Sequence, residues 1–121
     1  RCARQILTPE PDGRVGVLNT CIRTSGSKDH VEISGYAEPI DDSGAKLEVD
    51  FGLPWKGSYW IISFDNSQGV AAVTDSRGYS LYIMSRVPFM TQEIYNRTLD
   101  KVRKANVSTD KLTAQSHEGC W

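Results

Sequence analysis

The sequence predicts an all-β fold, an antiparallel meander of seven strands with one α-helix packed outside it. Three observations predict this. Short apolar stretches of period two recur from residue 2 to residue 86. Clusters of Gly, Pro, Asp and Ser separate them, so each connection is short. After Pro88 the apolar period changes from that of a strand to that of a helix.

The elements follow in order. Residues 2 to 7 read as a first strand. Pro9-Glu10-Pro11-Asp12-Gly13 then turns the chain, because proline presets φ and Asp-Gly supplies the tight bend. Residues 14 to 23 form the next strand, with Val15, Val17, Asn19 and Cys21 on one face. Ser25-Gly26-Ser27 is the following turn. Residues 30 to 40 make a third strand, ended by Pro39 and the loop Asp41-Asp42-Ser43-Gly44. Residues 45 to 51 alternate cleanly. Leu47, Val49 and Phe51 share one face, and Lys46, Glu48 and Asp50 share the other. Residues 52 to 57 are a loop. Residues 58 to 64 are apolar and aromatic, and residues 69 to 74 are short and apolar. Residues 79 to 86 close the series. Thr91 then caps a helix, and Glu93 suits the positive end of its dipole. Ile94, Tyr95, Leu99, Val102 and Ala105 form its apolar stripe, while Arg97, Asp100, Arg103 and Lys104 face away. Residues 111 to 115 are expected to add a tail strand.

A chain of 121 residues is one domain at most. With 39% hydrophobic and 24% charged residues, it has the composition of a globular protein. The net charge is −1 and there is no basic cluster, which argues against nucleic-acid or anionic-membrane binding. His30 and His117 lie far apart with no third ligand beside them, so neither a metal site nor a cofactor is expected. Asp41-Asp42 and Glu48 with Asp50 read as loop and outer-face solubility rather than a catalytic pair. No nucleophile elbow of the Gly-x-Ser-x-Gly kind occurs.

Three cysteines bear on the compartment. None forms a C-x-x-C pair. Cys2 and Cys120 lie near opposite chain ends, which often meet in space. They read as a disulfide that closes nearly the whole chain; the competing reading is two buried thiols in a reducing compartment. Cys21 is left over. Asn96-Arg97-Thr98 and Asn106-Val107-Ser108 are N-glycosylation sequons, which favour a secreted or extracytoplasmic setting.

The order of elements resembles the lipocalin architecture. Local motifs resemble it too. The run from Tyr59 to Asp65 is similar to the family's sixth strand entering its Thr-Asp-Tyr corner, with Phe64 and Asn66 as departures. Ile83-Met84-Ser85-Arg86 is similar to the end of the eighth strand, where lipocalins place a basic residue under the barrel floor. Arg1-Cys2, Val17-Leu18-Asn19, Ala45-Lys46-Leu47-Glu48-Val49, Tyr59-Trp60-Ile61 and Ser85-Arg86-x-Pro88 are similar in order and spacing to the branch containing apolipoprotein D and the bacterial outer-membrane lipocalins. One departure is large. The family opens with a Gly-x-Trp strand whose ring stacks on that basic residue, and this chain has no Gly-x-Trp. The resemblance therefore implies a lipocalin-type β-barrel spanning residues 1 to 121, N-terminally truncated or nicked, with seven strands present and the first missing. Two strand edges would then be open, and Arg86 would lack its aromatic partner. Buried unpaired backbone groups cost about 1 to 3 kcal/mol each, so the gap is expected to be filled. The candidates are a strand from a cleaved N-terminal peptide or one from a second chain, the latter giving a homo-oligomer.

The resemblance implies a function as well. It is the binding and transport of a small hydrophobic ligand, such as a fatty acid, lysolipid, sterol-like compound or pigment, in the barrel lumen. The expected lining is Leu7, Val17, Asn19, Cys21, Leu47, Phe51, Tyr82 and Met84, with Arg86 as the structural base. Alternation supports this, since it turns Val15, Val17 and Cys21 the same way as Asn19, and sets Ser80, Tyr82 and Met84 on the face of Arg86. The competing reading is that these side chains fill a solid core. Catalysis is not expected: Cys21 is the best nucleophile an enzyme on this fold would have, and no base stands beside it in the sequence. A protein-interaction module using open edge strands is the other alternative. Trp55, in the loop before Tyr59, either guards the barrel mouth or covers an edge.

Overall fold

The computed structural model describes residues 2–22, 30–118 and 120. Seven strands appear in chain order: β1 (Arg4–Pro9), β2 (Val15–Ile22), β3 (His30–Pro39), β4 (Lys46–Asp50), β5 (Gly57–Asp65), β6 (Val70–Thr74) and β7 (Leu81–Ser85). One helix follows, α1 (Gln92–Lys104). Each strand pairs antiparallel with the next, so sheet order equals chain order and β1 and β7 are the edges. This is the expected meander. The predicted turn at Ser25-Gly26-Ser27 lies outside the described residues.

Register divides the sheet into two faces. Leu7 stands opposite Val17, Val17 opposite Gly35, Ala37 opposite Val49 and Leu47 opposite Tyr59. These share one face, because cross-strand partners point the same way. Tyr59 shows that the face is concave. Its hydroxyl lies 2.9 Å from Gln5 Oε1 on β1 and 3.6 Å from Met84 Sδ on β7. In a flat sheet, spacings of about 4.8 Å would hold the two edges nearly 30 Å apart. The sheet therefore curls into a half-barrel around this face.

A bulge in β5 adjusts the pattern. Ile61 pairs with Val73, but Ser63 pairs with Ala72. One residue is extra, so Ile62 turns outward and Phe64, opposite Ala71, rejoins the concave face.

Aspartates build the turns. Asp12, Asp41, Asp50 and Asp75 each accept a backbone N–H two residues on, from Arg14, Ser43, Gly52 and Arg77, at 2.7 to 3.0 Å. Asp41 thus stands in the expected loop and forms its turn. Asp75 does most, since it also takes the N–H and hydroxyl of Ser80 at 2.8 and 2.7 Å. The Ser80 hydroxyl, with further backbone donors, holds its pKa down to about 2. The fold thus favours the ionised form. Its stabilisation is complete above the unfolded value of about 3.9 and is lost as pH falls toward 2. Asp75→Asn should accordingly be less stable at neutral pH and lose less stability between pH of about 4 and about 2. Urea midpoints across that range check this, and parallel curves for the two proteins would refute it.

The helix packs on the convex side. Thr91 caps it, accepting the Ile94 N–H at 3.3 Å. Its far end is a Schellman motif: Asn106 has φ 62°, its N–H meets Arg103 O, and the Val107 N–H meets Val102 O. Val102 and Val107 then pack together on Ala72, Ile62, Leu81 and Ile83. The apolar stripe differs from expectation at one end. Ala105 is the exposed C-cap, and Thr98 is buried instead, with its hydroxyl returned to Ile94 O at 2.8 Å. That bond lets a threonine replace an apolar residue under the helix.

The tail also differs. Residues 111 to 115 form a turn and irregular chain, not a strand. The tail is tied instead by its backbone and its cysteine: the Cys2 N–H donates to Ser116 O at 2.9 Å, and Cys2 is bonded to Cys120. The disulfide reading is the one observed, and Cys21 is a free, half-buried thiol.

Candidate ligand-binding face

The concave face draws side chains from all seven strands. Gln5 and Leu7 come from β1, and Val15, Val17, Asn19 and Cys21 from β2. Val31, Ile33, Gly35 and Ala37 come from β3, and Leu47 and Val49 from β4. Tyr59, Ile61 and Phe64 come from β5, Ala71 and Val73 from β6, and Tyr82 and Met84 from β7. Among the described strand residues on this face there is no Asp, Glu, Lys, Arg or His. The convex face differs: Glu32, Glu38, Lys46, Glu48 and Asp50 all fall there. Lys46 lies over the Trp60 ring at 4.4 Å.

The face is deep in the middle and open at its edges. Val17, Ala37 and Val49 are buried, with Val15, Leu47, Phe51 and Tyr59 packed over them. Gly35 permits this. A Cβ there would stand 2.2 Å from Asp50 O and 2.8 Å from the Phe51 ring. A solid core, the competing reading, thus describes the middle strands. On the edge strands the same face is exposed: Leu7 is 49% and Tyr82 64% accessible. The lumen is an open trough.

A polar bridge spans the trough. The Gln5 side-chain amide donates to Asn19 Oδ1 at 2.9 Å, and Gln5 Oε1 accepts from the Tyr59 hydroxyl. Burial pushes the Tyr59 phenol above its ordinary range, so it stays neutral. Gln5, Tyr59, Ile33 and Phe64 were not among the expected lining. Strand pairing selects the first three. The bulge selects Phe64.

Arg86 closes one end. Its guanidinium donates to Asn66 O at 3.2 Å and Asn66 Oδ1 at 2.9 Å, and lies 5.9 Å from the Phe64 ring centre. Its aliphatic chain packs on Gly69, where a Cβ would meet it at 3.2 Å. Phe64 thus gives Arg86 an aromatic neighbour other than the family's first-strand tryptophan. The two departures from the corner motif, Phe64 and Asn66, are the residues that hold it.

The remaining expected sites fall as follows. Leu7, Val17, Asn19, Cys21, Leu47, Tyr82 and Met84 share the concave face by register, and Phe51 packs on its buried cluster. Ser80 does not join them, because Asp75 holds it in the turn. Trp55 is 68% exposed in its loop. Asn96 and Asn106 are both exposed.

Comparison with known proteins agrees with this architecture. A family model described as a lipocalin-like domain matches residues 3–117. The chain belongs to the lipocalin family. It is also 33% identical over 118 residues to temperature-induced lipocalin-1 of Arabidopsis thaliana. The match covers 90% of this chain and 62% of that protein, so the chain spans about three-fifths of that relative's length. Lipocalins bind small hydrophobic ligands and are typically binding proteins rather than enzymes. Many are extracellular.

Proposed function

We propose that this lipocalin binds a fatty-acyl or sterol-like molecule along the concave face and carries it through an extracytoplasmic space. The absence of charged side chains among the described strand residues of that face carries the reading. An apolar ligand laid on it leaves no ion stranded, whereas on the convex face it would desolvate several. Leu7, Val17, Asn19, Cys21, Leu47, Phe51, Tyr82 and Met84 are the proposed contacts. The Cys2–Cys120 bond supports an oxidising compartment. The exposed asparagines of both sequons are suited to carry glycans clear of the trough.

The exposed edges of the trough motivate a companion proposal. A strand from another polypeptide, a cleaved N-terminal peptide or a second copy, pairs with β1 and β7 and completes the barrel. Such a strand would cover Leu7 and Tyr82, the most exposed apolar side chains of the expected lining.

Tyr82→Glu tests the ligand reading. Tyr82 is largely exposed, so the change spares the core while placing a charge on the trough. Binding of N-phenylnaphthylamine, an uncharged fluorescent probe, should fall at least about tenfold, with the β-type circular dichroism unchanged. Unaltered probe affinity would remove the concave face from consideration.

A further inference from the structure

We propose that Gln5, Asn19 and Tyr59 form a head-group site for an uncharged, hydrogen-bond-accepting amphiphile, an alcohol, ketone or ester, in preference to a carboxylate. This rests on the concave face being the ligand site, and it narrows the ligand's chemical class.

The donor inventory points to an acceptor. The Asn19 carboxamide uses its oxygen for Gln5, and no described residue accepts from its nitrogen. Gln5 donates one of its two amide hydrogens to Asn19. The Tyr59 hydroxyl spends its proton on Gln5 and keeps oxygen lone pairs. The bridge therefore offers spare N–H donors and one phenol acceptor. It lies half-buried, between the apolar cluster of Val17, Ala37 and Val49 and the Met84 sulfur. A carbonyl or hydroxyl oxygen satisfies those donors, and an alcohol O–H can return its proton to Tyr59.

The charge inventory of the described residues disfavours an ionised head. The described strand residues of the concave face supply no cation. Arg86 stands beyond the end of β7, and both described hydrogen bonds of its guanidinium go to Asn66. A carboxylate at the bridge would give up its hydration with no ion to pair with, which is far costlier than seating a neutral head. Tyr59 is protonated at neutral pH, as a phenol is, and burial raises its pKa further.

Dodecanol and laurate, matched in chain length, are the test, each displacing N-phenylnaphthylamine from the full chain at neutral pH. Dodecanol should bind at least about tenfold more tightly than laurate. The paired change Gln5→Leu and Asn19→Leu should remove that preference while the probe still binds. Tyr59→Phe, which keeps the ring, should weaken dodecanol but not the probe if the double variant fails to fold. Equal affinities, or tighter laurate, would overturn the head-group site while leaving the hydrophobic-ligand reading intact. Failure of the probe and both ligands to bind would overturn that reading and the head-group site together.

Discussion

Reducing the Cys2–Cys120 disulfide is expected to lower the unfolding free energy by about 4 to 5 kcal/mol. The two cysteines are 118 residues apart, so the bond closes one of the longest loops the chain can make. Cutting it releases chain entropy to the unfolded state, by an amount that grows slowly with loop length. In the folded state it frees the irregular tail, whose described backbone link to the start of β1 is Cys2 N–H to Ser116 O. Domain stabilities run from about 5 to 15 kcal/mol, so the loss is a large share of the whole. Urea unfolding of Cys2→Ser with Cys120→Ser measures it, and a change below about 1 kcal/mol would contradict the account. Thiol titration of the denatured, unreduced protein should find one free thiol, on Cys21. Three would rule out both the bond and the secreted setting proposed from it.

The other large effect concerns the sheet edges. If a strand from another polypeptide fills the trough, sedimentation at micromolar concentration should find a dimer or a chain with an associated peptide. Ile6 is 38% exposed on edge strand β1. Ile6→Lys places a charge where the incoming strand would pair and should weaken association at least about tenfold. A well-folded monomer with no bound peptide at every concentration would refute the proposal. The driving force differs from the one the sequence suggests. Nearly all of β1 is exposed, so water reaches its free N–H and C=O groups. These groups escape the cost of buried, unpaired ones. Covering the apolar side chains beside them is the larger gain.

The meander was legible in the sequence because period-two alternation and Asp, Gly and Pro turns specify strands locally. The helix was legible for the same reason, from Thr91 and its apolar spacing. What was hidden depends on long-range geometry. Nothing local marks the bulge after Ile61, yet it decides that Phe64 faces inward and Ile62 outward. Gln5 and Tyr59 are 54 positions apart, and their bond exists only because the sheet curls. Thr98 reads as polar, but its hydroxyl is absorbed by the helix backbone. The tail fails as a strand, held through Cys2 and Ser116 at the start of β1 rather than by a ladder.

Photo-cross-linking with a diazirine-bearing long-chain alcohol, with adducts mapped by peptide mass spectrometry, tests whether ligand lies on the concave face. Label is expected on Leu7, Ile33, Tyr82 and Met84, competed away by dodecanol. Label confined to α1 or to the convex residues of β3 and β4, or label that dodecanol leaves in place, would contradict it.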